Sequence, residues 1–396
     1  MSSGKIRVGV FFGGRSVEHE VSIISAIQAI KSFDSSKYEI EPIYCARDGG
    51  MYTGAALGEI ESYRDIPALL KKSRRVVCAA EGGRLLLVNY PVKRFAKSVH
   101  SAIDVAFPIV HGTNVEDGAL QGFFRTLSIP FVGCDVTASA VGMDKYIMKT
   151  ILKDNRIPVL DCVRISVKSY FKDVPGAIRS AEEAIPYPMI VKPVNLGSSI
   201  GIKLASNGEE LKEAFSYAFL YADTALAERA VPNLREINCA VLGDCESAIA
   251  SECEEPVNTA EILSYEDKYI SGGKSGAKGM SAAKRKLPAE LAPETRETIR
   301  DLAVRTFQSL GCGGVSRIDF LMDGKSGEIW VNEINTIPGS LSFYLWTPVG
   351  IPYSELLDRL IDLALKRERE KENIAYSFET NILTNFVSGG LKGIKR

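Results

Sequence analysis

The sequence predicts a protein of several mixed α/β domains. From residue 5 onward, short apolar runs rich in β-branched residues alternate with segments whose apolar residues recur at helical spacing. The chain has 396 residues, which is more than one compact core normally holds, so two or three domains are expected. The segment 311–344 adds a strand-turn-strand pattern that carries several charged residues. A functional hairpin near the C-terminal end is therefore part of the prediction.

The first third of the chain is predicted to form an open parallel α/β layer. The run 5–12 is a strand that stops at Gly13-Gly14, and helical spacing resumes at 21–30. Further strands are expected at 38–43, 85–88 and 102–109, and a further helix is expected at 118–127. In such a layer, functional side chains collect where the strands end.

The middle of the chain is predicted to form a second unit. A helix at 136–153 leads into it, and a short buried strand contains Lys192 near its end. The loop 195–199 and a strand at 200–204 follow, which is the pattern of a hairpin closing over a ligand. Helical spacing at 209–222 and a strand at 225–228 complete this unit.

The last part of the chain is predicted to contain the functional hairpin and the elements that support it. Strands are expected at 237–241 and 248–251, and helices are expected at 293–310 and 353–369. Between them, the segment 265–286 combines glycines with basic residues. We give equal weight to a solvated linker and to a lid that folds over a polyphosphate.

Four polar side chains of the hairpin are the first candidates for a site. The two-residue period of a strand puts Arg317 and Asp319 on one face, and Glu333 and Asn335 share a face by the same rule. The turn at 323–327 favours antiparallel pairing, which brings the four side chains together. Carboxylate and amide oxygens suit Mg²⁺, and an arginine beside them suits a phosphate or acyl oxygen. The alternative is a hairpin whose solvent face carries charges, but its apolar residues favour a buried hairpin.

Composition limits the classes of partner. The chain has 48 basic and 49 acidic residues, and this balance argues against nucleic acid or an anionic membrane as the main partner. No apolar run approaches the roughly eighteen residues of a membrane span, and the run at 8–12 is too short for a signal core. The eight cysteines lack metal-binding spacing and are typical of buried thiols in a reduced compartment. A cytoplasmic protein with small-molecule partners is expected.

Two lysines are candidates for binding phosphate. Lys192 lies beside the loop 197–199, whose backbone N–H groups suit phosphate oxygens, and Lys145 begins a helix. Either lysine can also be an ordinary surface residue. The sequence contains no Walker A loop, and the spacing around Gly13-Gly14 is not that of a dinucleotide fingerprint.

Glu18 and His111 each follow a strand end. Glu18 stands near a helix start, where a carboxylate is often only a cap or a partner of the helix dipole. His111 is the one histidine of three at a strand-to-loop junction with a following glycine. A lone histidine is more often structural than catalytic, so both interpretations stay open.

Five motifs occur in an order and spacing that resemble the D-alanine-D-alanine ligase family, a branch of the ATP-grasp enzymes. The motifs are FGGRSxEHEVS from Phe12, HGxxxEDGxLQG from His111, MDK from Met143, VKPxNLGSSxG from Val191, and RIDF from Arg317 followed by NEINTxPG from Asn332. The resemblance extends to about residue 370. Any one of them is weak, but five together are specific.

The resemblance implies an ATP-grasp fold in three domains, with ATP held between the last two. The implied bounds are an N-terminal α/β substrate domain at 1–140, a central domain at 141–228, a C-terminal catalytic domain at 229–370 with a lid at 264–286, and a tail at 371–396.

The resemblance also implies the roles of individual residues. The residues implied to contact ATP are Lys145, Lys192, Ser199, Glu228, Glu236 and Lys268. Two Mg²⁺ ions, or Mn²⁺ in their place, are implied to bind Asp319, Glu333 and Asn335. The residues implied at the reaction centre are Glu18, Ser198, Tyr269, Arg317 and the backbone amide of Gly339. The residues implied to bind the amino acid substrates are Glu18, His111, Tyr344 and Leu345.

The activity that the resemblance implies is the ATP-dependent joining of two D-alanines through an acyl phosphate, as a step in peptidoglycan precursor synthesis. The family often has a small serine where this chain has Tyr344, so the acceptor pocket is expected to be reshaped. D-Serine, D-lactate or another small amino acid is the alternative acceptor. A nucleotide-binding regulator without catalysis, or a kinase that stops at the acyl phosphate, is the alternative from another class. The family also suggests a homodimer, and it leaves the base for the acceptor amine unassigned.

Overall fold

The computed structural model describes residues 4–92, 94–95, 97–197, 199–256, 285–371 and 373–375, and these residues form three β-sheets with helices around them. Residues 264–284 of the predicted lid at 264–286, the tail from 376 onward, and Ser198, Lys268 and Tyr269 lie outside the described residues. Within them, no helix is long and apolar enough to cross a bilayer.

The first sheet has seven strands in the order β6-β5-β4-β3-β2-β1-β7. Its elements are β1 (Ile6–Gly13), α1 (His19–Ile30), β2 (Tyr38–Cys45), β3 (Met51–Thr53), α2 (Ile66–Lys72), β4 (Arg74–Glu81), β5 (Arg84–Asn89), β6 (Val99–Ile103), β7 (Val105–Val110) and α3 (Ala119–Thr126). The sheet is parallel where β2, β1 and β7 lie side by side, as expected, and the strands from β2 to β6 pair antiparallel.

The single strand expected at 102–109 is two strands that meet at Asp104. The Asp104 carboxylate accepts the backbone N–H of Arg7 at 2.8 Å, which fixes the break. β6 and β7 are the two edge strands of the sheet, and only one residue separates them along the chain. The two edges therefore lie next to each other, and the sheet is strongly curved.

The glycine turn after β1 needs a conformation that other residues rarely adopt. Gly13 and Gly14 have φ values of +90° and +94°, and a Cβ on Gly13 would lie 2.5 Å from the carbonyl oxygen of Cys45. The turn delivers Glu18 to the start of α1.

The expected helix at 136–153 is broken into α4 (Val136–Met143) and α5 (Lys145–Asp154). Asp144 between them has an extended backbone, and its side chain accepts the N–H groups of Tyr146 and Ile147 at 2.9 Å each. An aspartate at this position is a strong N-cap, so the chain starts a new helix instead of continuing the old one.

The second sheet has four antiparallel strands in the order β10-β9-β11-β8. Its elements are β8 (Cys162–Ser166), α6 (Val167–Lys172), α7 (Val174–Ala184), β9 (Met189–Pro193), β10 (Lys203–Ala205), α8 (Gly208–Ala218) and β11 (Thr224–Arg229). The hairpin of β9 and β10 forms as predicted, although β10 starts three residues later than expected.

The third sheet has five antiparallel strands in the order β14-β13-β12-β15-β16. Its elements are β12 (Leu234–Gly243), β13 (Ala248–Pro256), β14 (Arg285–Lys286), α9 (Pro293–Ser309), β15 (Gly314–Asp323), β16 (Ile329–Asn335) and α10 (Tyr353–Lys371). A short 3₁₀ segment, Gly339–Leu345, follows β16 and contains three residues with left-handed φ.

Two of the hydrophobic cores extend beyond a single sheet, and one does not. One core joins the first sheet to α10 and to residues 337–346, and another joins α4 and α5 to the third sheet. The core of the second sheet consists of residues between Ile165 and Ala227 only.

Candidate active site

The hairpin of β15 and β16 forms the floor of a polar pocket. Arg317 pairs with Asn335 and Asp319 pairs with Glu333 in the strand register, so the four side chains share one face, as the sequence pattern predicted. The Arg317 guanidinium donates to both oxygens of Asp319, with Nε–Oδ1 at 2.6 Å and Nη2–Oδ2 at 2.7 Å, and Asn335 Nδ2 donates to Asp319 Oδ2 at 3.0 Å. Burial lowers the pKa of Arg317, but the Asp319 carboxylate more than offsets this and raises that pKa well above its ordinary value.

A β-bulge in the hairpin turns one further side chain toward the pocket region. The register slips between Asp319 and Phe320, and Asn332 is the extra residue on β16. Its amide oxygen accepts a hydrogen bond from Lys192 Nζ at 2.8 Å. The bulge therefore links the third sheet to the second.

The oxygen donors of the floor fit a divalent metal that is shared with phosphate. Within the described part of the chain, no three His, Cys, Asp or Glu side chains form a metal-holding group. Asp319 and Glu333 supply two carboxylates and Asn335 supplies an amide oxygen, and Mg²⁺ commonly takes one or two carboxylates and completes its octahedron with phosphate and water. The two carboxylates are now paired with Arg317 and Lys145, which are cations of the kind that a metal ion would replace.

Lys145 and Lys192 both reach the region above the floor. Lys145 Nζ lies 3.1 Å from Glu333 Oε2 and donates to the carbonyl oxygen of Leu196 at 2.7 Å. Lys192 Nζ forms an ion pair with Glu228 in addition to its bond to Asn332. Both ammonium groups are buried, so neither lysine is the surface residue that the alternative interpretation allowed.

A third buried lysine, which the sequence analysis missed, completes this group. Lys149 Nζ lies 2.7 Å from Glu228 Oε2, so Glu228 bridges two ammonium groups, and the Lys149 and Glu228 side chains are only 2% and 3% exposed. Burial alone raises the pKa of Glu228, but Lys149 and Lys192 outweigh it and lower the pKa to about 2. Its position one helical turn after Lys145 was a signal that could have identified Lys149, but its partner Glu228 lies on a strand 79 positions away.

Two side chains of the first unit hold the backbone of a single residue after β16. Glu116 Oε1 accepts the N–H of Ile337 at 3.0 Å, and His111 Nδ1 donates to the carbonyl oxygen of Ile337 at 2.8 Å. On the other side of its ring, His111 Nε2 lies 3.1 Å from Ser25 Oγ, which accepts the N–H of Ser340 at 2.9 Å. We call Glu116 and His111 the Ile337 clamp. Both ring nitrogens of His111 bond to the protein, so its position agrees with the structural interpretation.

The clamp residues are titratable and buried. Burial lowers the pKa of His111 to about 4, which keeps the ring neutral. Burial, with a smaller effect from Glu18, raises the pKa of Glu116 to about 8 although the carboxylate accepts two backbone N–H groups.

Glu18 lies close to the loop that follows β9. A Cβ placed on Gly112 would be 3.0 Å from Glu18 Oε2, and one on Gly197 would be 3.5 Å from the same oxygen. The loop 195–197 therefore passes directly over Glu18. Ser199 follows with a left-handed φ of +59°, and Glu236 lies on β12 opposite Leu321.

The segment after Gly339 holds Tyr344, the residue for which a reshaped acceptor pocket was expected. The Tyr344 hydroxyl donates to Glu254 Oε1 at 2.9 Å, and the Arg285 guanidinium lies 3.9 Å from the Tyr344 ring centroid. The Leu345 side chain is buried in the first hydrophobic core, so any contact of Leu345 with substrate would have to come from its backbone.

The pocket draws its walls from all three sheet units. Its lining includes Glu18, His111 and Glu116 from the first unit, Leu196 and Gly197 from the second, Arg317, Glu333 and Asn335 from the third, and Lys145 from α5. This arrangement can bind a polyanion with its metal beside a small zwitterion.

Comparison with known proteins gives a consistent result. Residues 7–134 match a family model described as the D-ala D-ala ligase N-terminus, and residues 151–362 match the corresponding C-terminus. The chain is 37% identical to D-alanine--D-alanine ligase of Thermosipho melanesiensis over 96% of this chain and 98% of that protein. It is 40% identical to D-alanine--D-alanine ligase of Acetivibrio thermocellus over 92% of this chain and 96% of that protein.

Solved structures are similar over most of the chain. The D-alanine-D-alanine ligase of Coxiella burnetii has a TM-score of 0.74 and 31% identity and covers 93% of this chain and 96% of its own. The VanG D-Ala:D-Ser ligase of Enterococcus faecalis has a TM-score of 0.75 and 31% identity and covers 91% of this chain and all of its own. These likenesses confirm the predicted multidomain α/β fold class.

Proposed function

The chain belongs to the D-alanine-D-alanine ligase family, with the ATP-grasp fold of that family, and from this premise we propose that it joins two D-alanines in an ATP-dependent reaction. The product, D-alanyl-D-alanine, is a precursor for peptidoglycan synthesis. The observation that carries the proposal is the shared floor of Arg317, Asp319, Glu333 and Asn335 beside the buried ammonium group of Lys145. A polyanion with its metal fits there, and Glu18 lies across the pocket for a cationic substrate group.

The first step is the transfer of the γ-phosphoryl group of ATP to the carboxylate of the first D-alanine. Lys145 and Lys192 offset the charge that moves with the phosphoryl group, because they are held by Glu333 and Asn332 at the floor. Glu228 and Glu236 are proposed to bind the adenine and ribose of ATP, and Ser199 and Lys268 are proposed to add contacts to ATP.

Asp319, Glu333 and Asn335 would hold the metal, which we propose to be two Mg²⁺ ions or Mn²⁺ in their place. When bound, the metal neutralises charge on the phosphates and orients them for in-line transfer. Arg317 now pairs with both oxygens of Asp319, and with Asp319 engaged by a metal its guanidinium would be available to the acyl group.

Binding of the first amino acid is proposed to use Glu18, which would hold the ammonium group and link to Ser198 and Tyr269. The backbone N–H of Gly339 and the Arg317 guanidinium would stabilise the oxyanion that forms when the second amine attacks the acyl phosphate. Phosphate then leaves and an amide bond forms. We assign His111 to holding the Ile337 backbone near this centre, and Tyr344 and Leu345 to the acceptor side.

Assembly and location are proposed on the family premise. We infer a homodimer in the cytoplasm whose partners are D-amino acids and ATP, and we propose domain bounds of 1–140, 141–228 and 229–370. Light scattering in solution tests the dimer, since a monomeric mass over the micromolar range would exclude it.

Phosphate release and product mass test the activity. Purified protein with ATP, Mg²⁺ and D-alanine should release phosphate and form D-alanyl-D-alanine. Glu333→Gln should abolish both without unfolding the protein, because the floor loses a metal ligand. Glu328→Gln is the control, because Glu328 lies exposed in the turn of the same hairpin. Phosphate release with no peptide would point to a kinase, ATP binding with neither product would point to a regulator, and phosphate release only with D-serine or D-lactate would identify the other acceptor.

A further inference from the structure

A buried charged cluster lies beside the active-site floor, and Tyr344 is the only one of its members that the sequence analysis identified. Glu254 accepts hydrogen bonds from the Tyr344 hydroxyl at 2.9 Å, from Asn238 Nδ2 at 3.1 Å and from Arg285 Nη1 at 2.8 Å. The Arg285 and Glu254 side chains are only 13% and 4% exposed, and the Arg285 guanidinium covers the face of the Tyr344 ring. We call Glu254, Arg285 and Tyr344 the Tyr344 cluster.

Strand register puts the cluster on the catalytic face of the third sheet. Glu254 pairs with Asn238 on β12, Asn238 pairs with Asp319 on β15, and Asp319 pairs with Glu333 on β16. Residues paired across neighbouring strands point to the same face. Since neighbouring strands lie about 4.8 Å apart, Glu254 is two strands, or roughly 10 Å, from Asp319 along this face.

The proposed metal ligands and the cluster lie on opposite sides of β12, because Asp319 and Glu333 are on β15 and β16 and Glu254 is on β13. Lys145 and Lys192 bond to Glu333 and Asn332 on β16, at the far side from the cluster. The floor therefore has two sides. On one side are the oxygen donors for metal and the lysines for phosphate, and on the other side is the Tyr344 cluster.

The chemistry of the second step decides which side the acceptor uses. The amine must reach the acyl carbon while phosphate leaves it, so the acceptor cannot occupy the space of the phosphates. Phosphate and metal would occupy the lysine side, which leaves the side of the Tyr344 cluster for the acceptor. An α-amino acid arrives as a zwitterion, with an ammonium and a carboxylate group. An α-hydroxy acid brings only the carboxylate.

We propose that the Tyr344 cluster selects an α-amino acid zwitterion as the acceptor over an α-hydroxy acid such as D-lactate. The negative charge of Glu254 favours the incoming ammonium group, and the Arg285 guanidinium offsets the carboxylate. The Tyr344 hydroxyl donates to Glu254, so it orients the carboxylate of Glu254. This inference rests on the proposed ligase function.

A competition between two acceptors tests the selection. The protein is given ATP, Mg²⁺, D-alanine and D-lactate at one fixed pH, and the ratio of dipeptide to D-alanyl-D-lactate is measured by mass spectrometry. Glu254→Gln should lower this ratio by about tenfold or more, because the amine loses its electrostatic advantage. Glu255→Gln is the matched control, since the next residue carries the same charge but is bound by Arg235 Nε and Nη2 at 2.8 Å each.

A second variant should shift the ratio in the opposite direction. Arg285→Gln leaves the negative charge of Glu254 without its arginine, so the preference for the zwitterion should rise above that of the wild type. A merely structural role would lower both products and leave their ratio unchanged. If one variant fails to fold, as judged by circular dichroism, the direction in which the other variant changes the product ratio still tests the proposal.

An unchanged ratio in the folded variant, or an equal change in Glu255→Gln, would overturn the selection. Failure of the wild type to form either product would overturn the proposed ligase function instead. The wild-type reaction and the variant ratios therefore separate the two outcomes.

Discussion

Replacing Glu116 by glutamine should change how the stability of the protein depends on pH. The folded protein raises the pKa of this carboxyl from 4.5 to about 8, so between these values the folded state binds more protons than the unfolded state. Stability contributed by Glu116 is therefore fully present below pH 4.5 and is lost as pH rises toward 8. Glutamine has no proton to lose, so the variant lacks this dependence.

The size of the effect follows from the pKa. A rise from 4.5 to about 8 corresponds to roughly 5 kcal/mol at about 1.4 kcal/mol per pH unit. The side-chain oxygen of glutamine can still accept the N–H of Ile337. Its NH₂ group then faces the N–H of Gly112, and these two donors lower the free energy of unfolding by about 1–3 kcal/mol at every pH. The variant should thus be less stable than the wild type at pH 5, and the difference should shrink or reverse by pH 9.

Thermal unfolding measured at unit steps from pH 5 to pH 9 tests this reasoning. The melting temperature of the variant minus that of the wild type should rise across the series by on the order of 5–10 °C. Other titrating groups, including His111, are present in both proteins and cancel in the difference. Parallel curves for the two proteins would refute the account of Glu116.

Three further predictions concern the site and its supports. Glu228→Gln should lower the free energy of unfolding by about 3–5 kcal/mol and raise the KM for ATP, because it leaves Lys149 and Lys192 buried without their carboxylate; a loss below about 1 kcal/mol in urea titrations would contradict this. Gly13→Ala should destabilise the protein by about 2–4 kcal/mol, because the φ of +90° and the nearby Cys45 carbonyl both exclude a Cβ; an unchanged melting temperature would show that the turn relaxes freely. The folded protein lowers the pKa of His111 from 6.5 to about 4, so the unfolded state takes up the proton first as pH drops. Stability should therefore fall by roughly 3 kcal/mol between pH 6.5 and pH 4. His111→Gln should remove that loss, and equal acid sensitivity of the two proteins would contradict the prediction.

The parts of the structure that short-range patterns control were predictable from the sequence. The alternation in β15 and β16 placed Arg317 and Asp319 beside Glu333 and Asn335, and the register agrees. The breaks at Asp104 and Asp144 were missed because each depends on one aspartate side chain that accepts backbone N–H groups, from Arg7 on another strand in the first case and from Tyr146 in the second. The aspartate before Lys145 was a readable N-cap signal for the second of these breaks.

The parts of the site that depend on long-range contacts were not predictable. Glu254 stands in a run of acidic residues whose faces cannot be assigned without knowing that a bulge near Ser251 shifts the register of β13. Its partners Arg285 and Tyr344 lie 31 and 90 positions away along the chain. The clamp on Ile337 joins residues more than two hundred positions apart, and no local periodicity reports such a contact.

The distribution of the hydrophobic cores has a consequence for folding during synthesis. The core of the second sheet needs only residues between Ile165 and Ala227, so all of its members leave the ribosome while the last third of the chain is still being made. The core under the first sheet acquires its last members from 337–364. Domains usually fold from the N-terminus during synthesis, but here the middle unit is the first to possess a complete core. The N-terminal sheet must wait for the C-terminal helix, and the active-site turn at Ile337 reaches its clamp in that same late event.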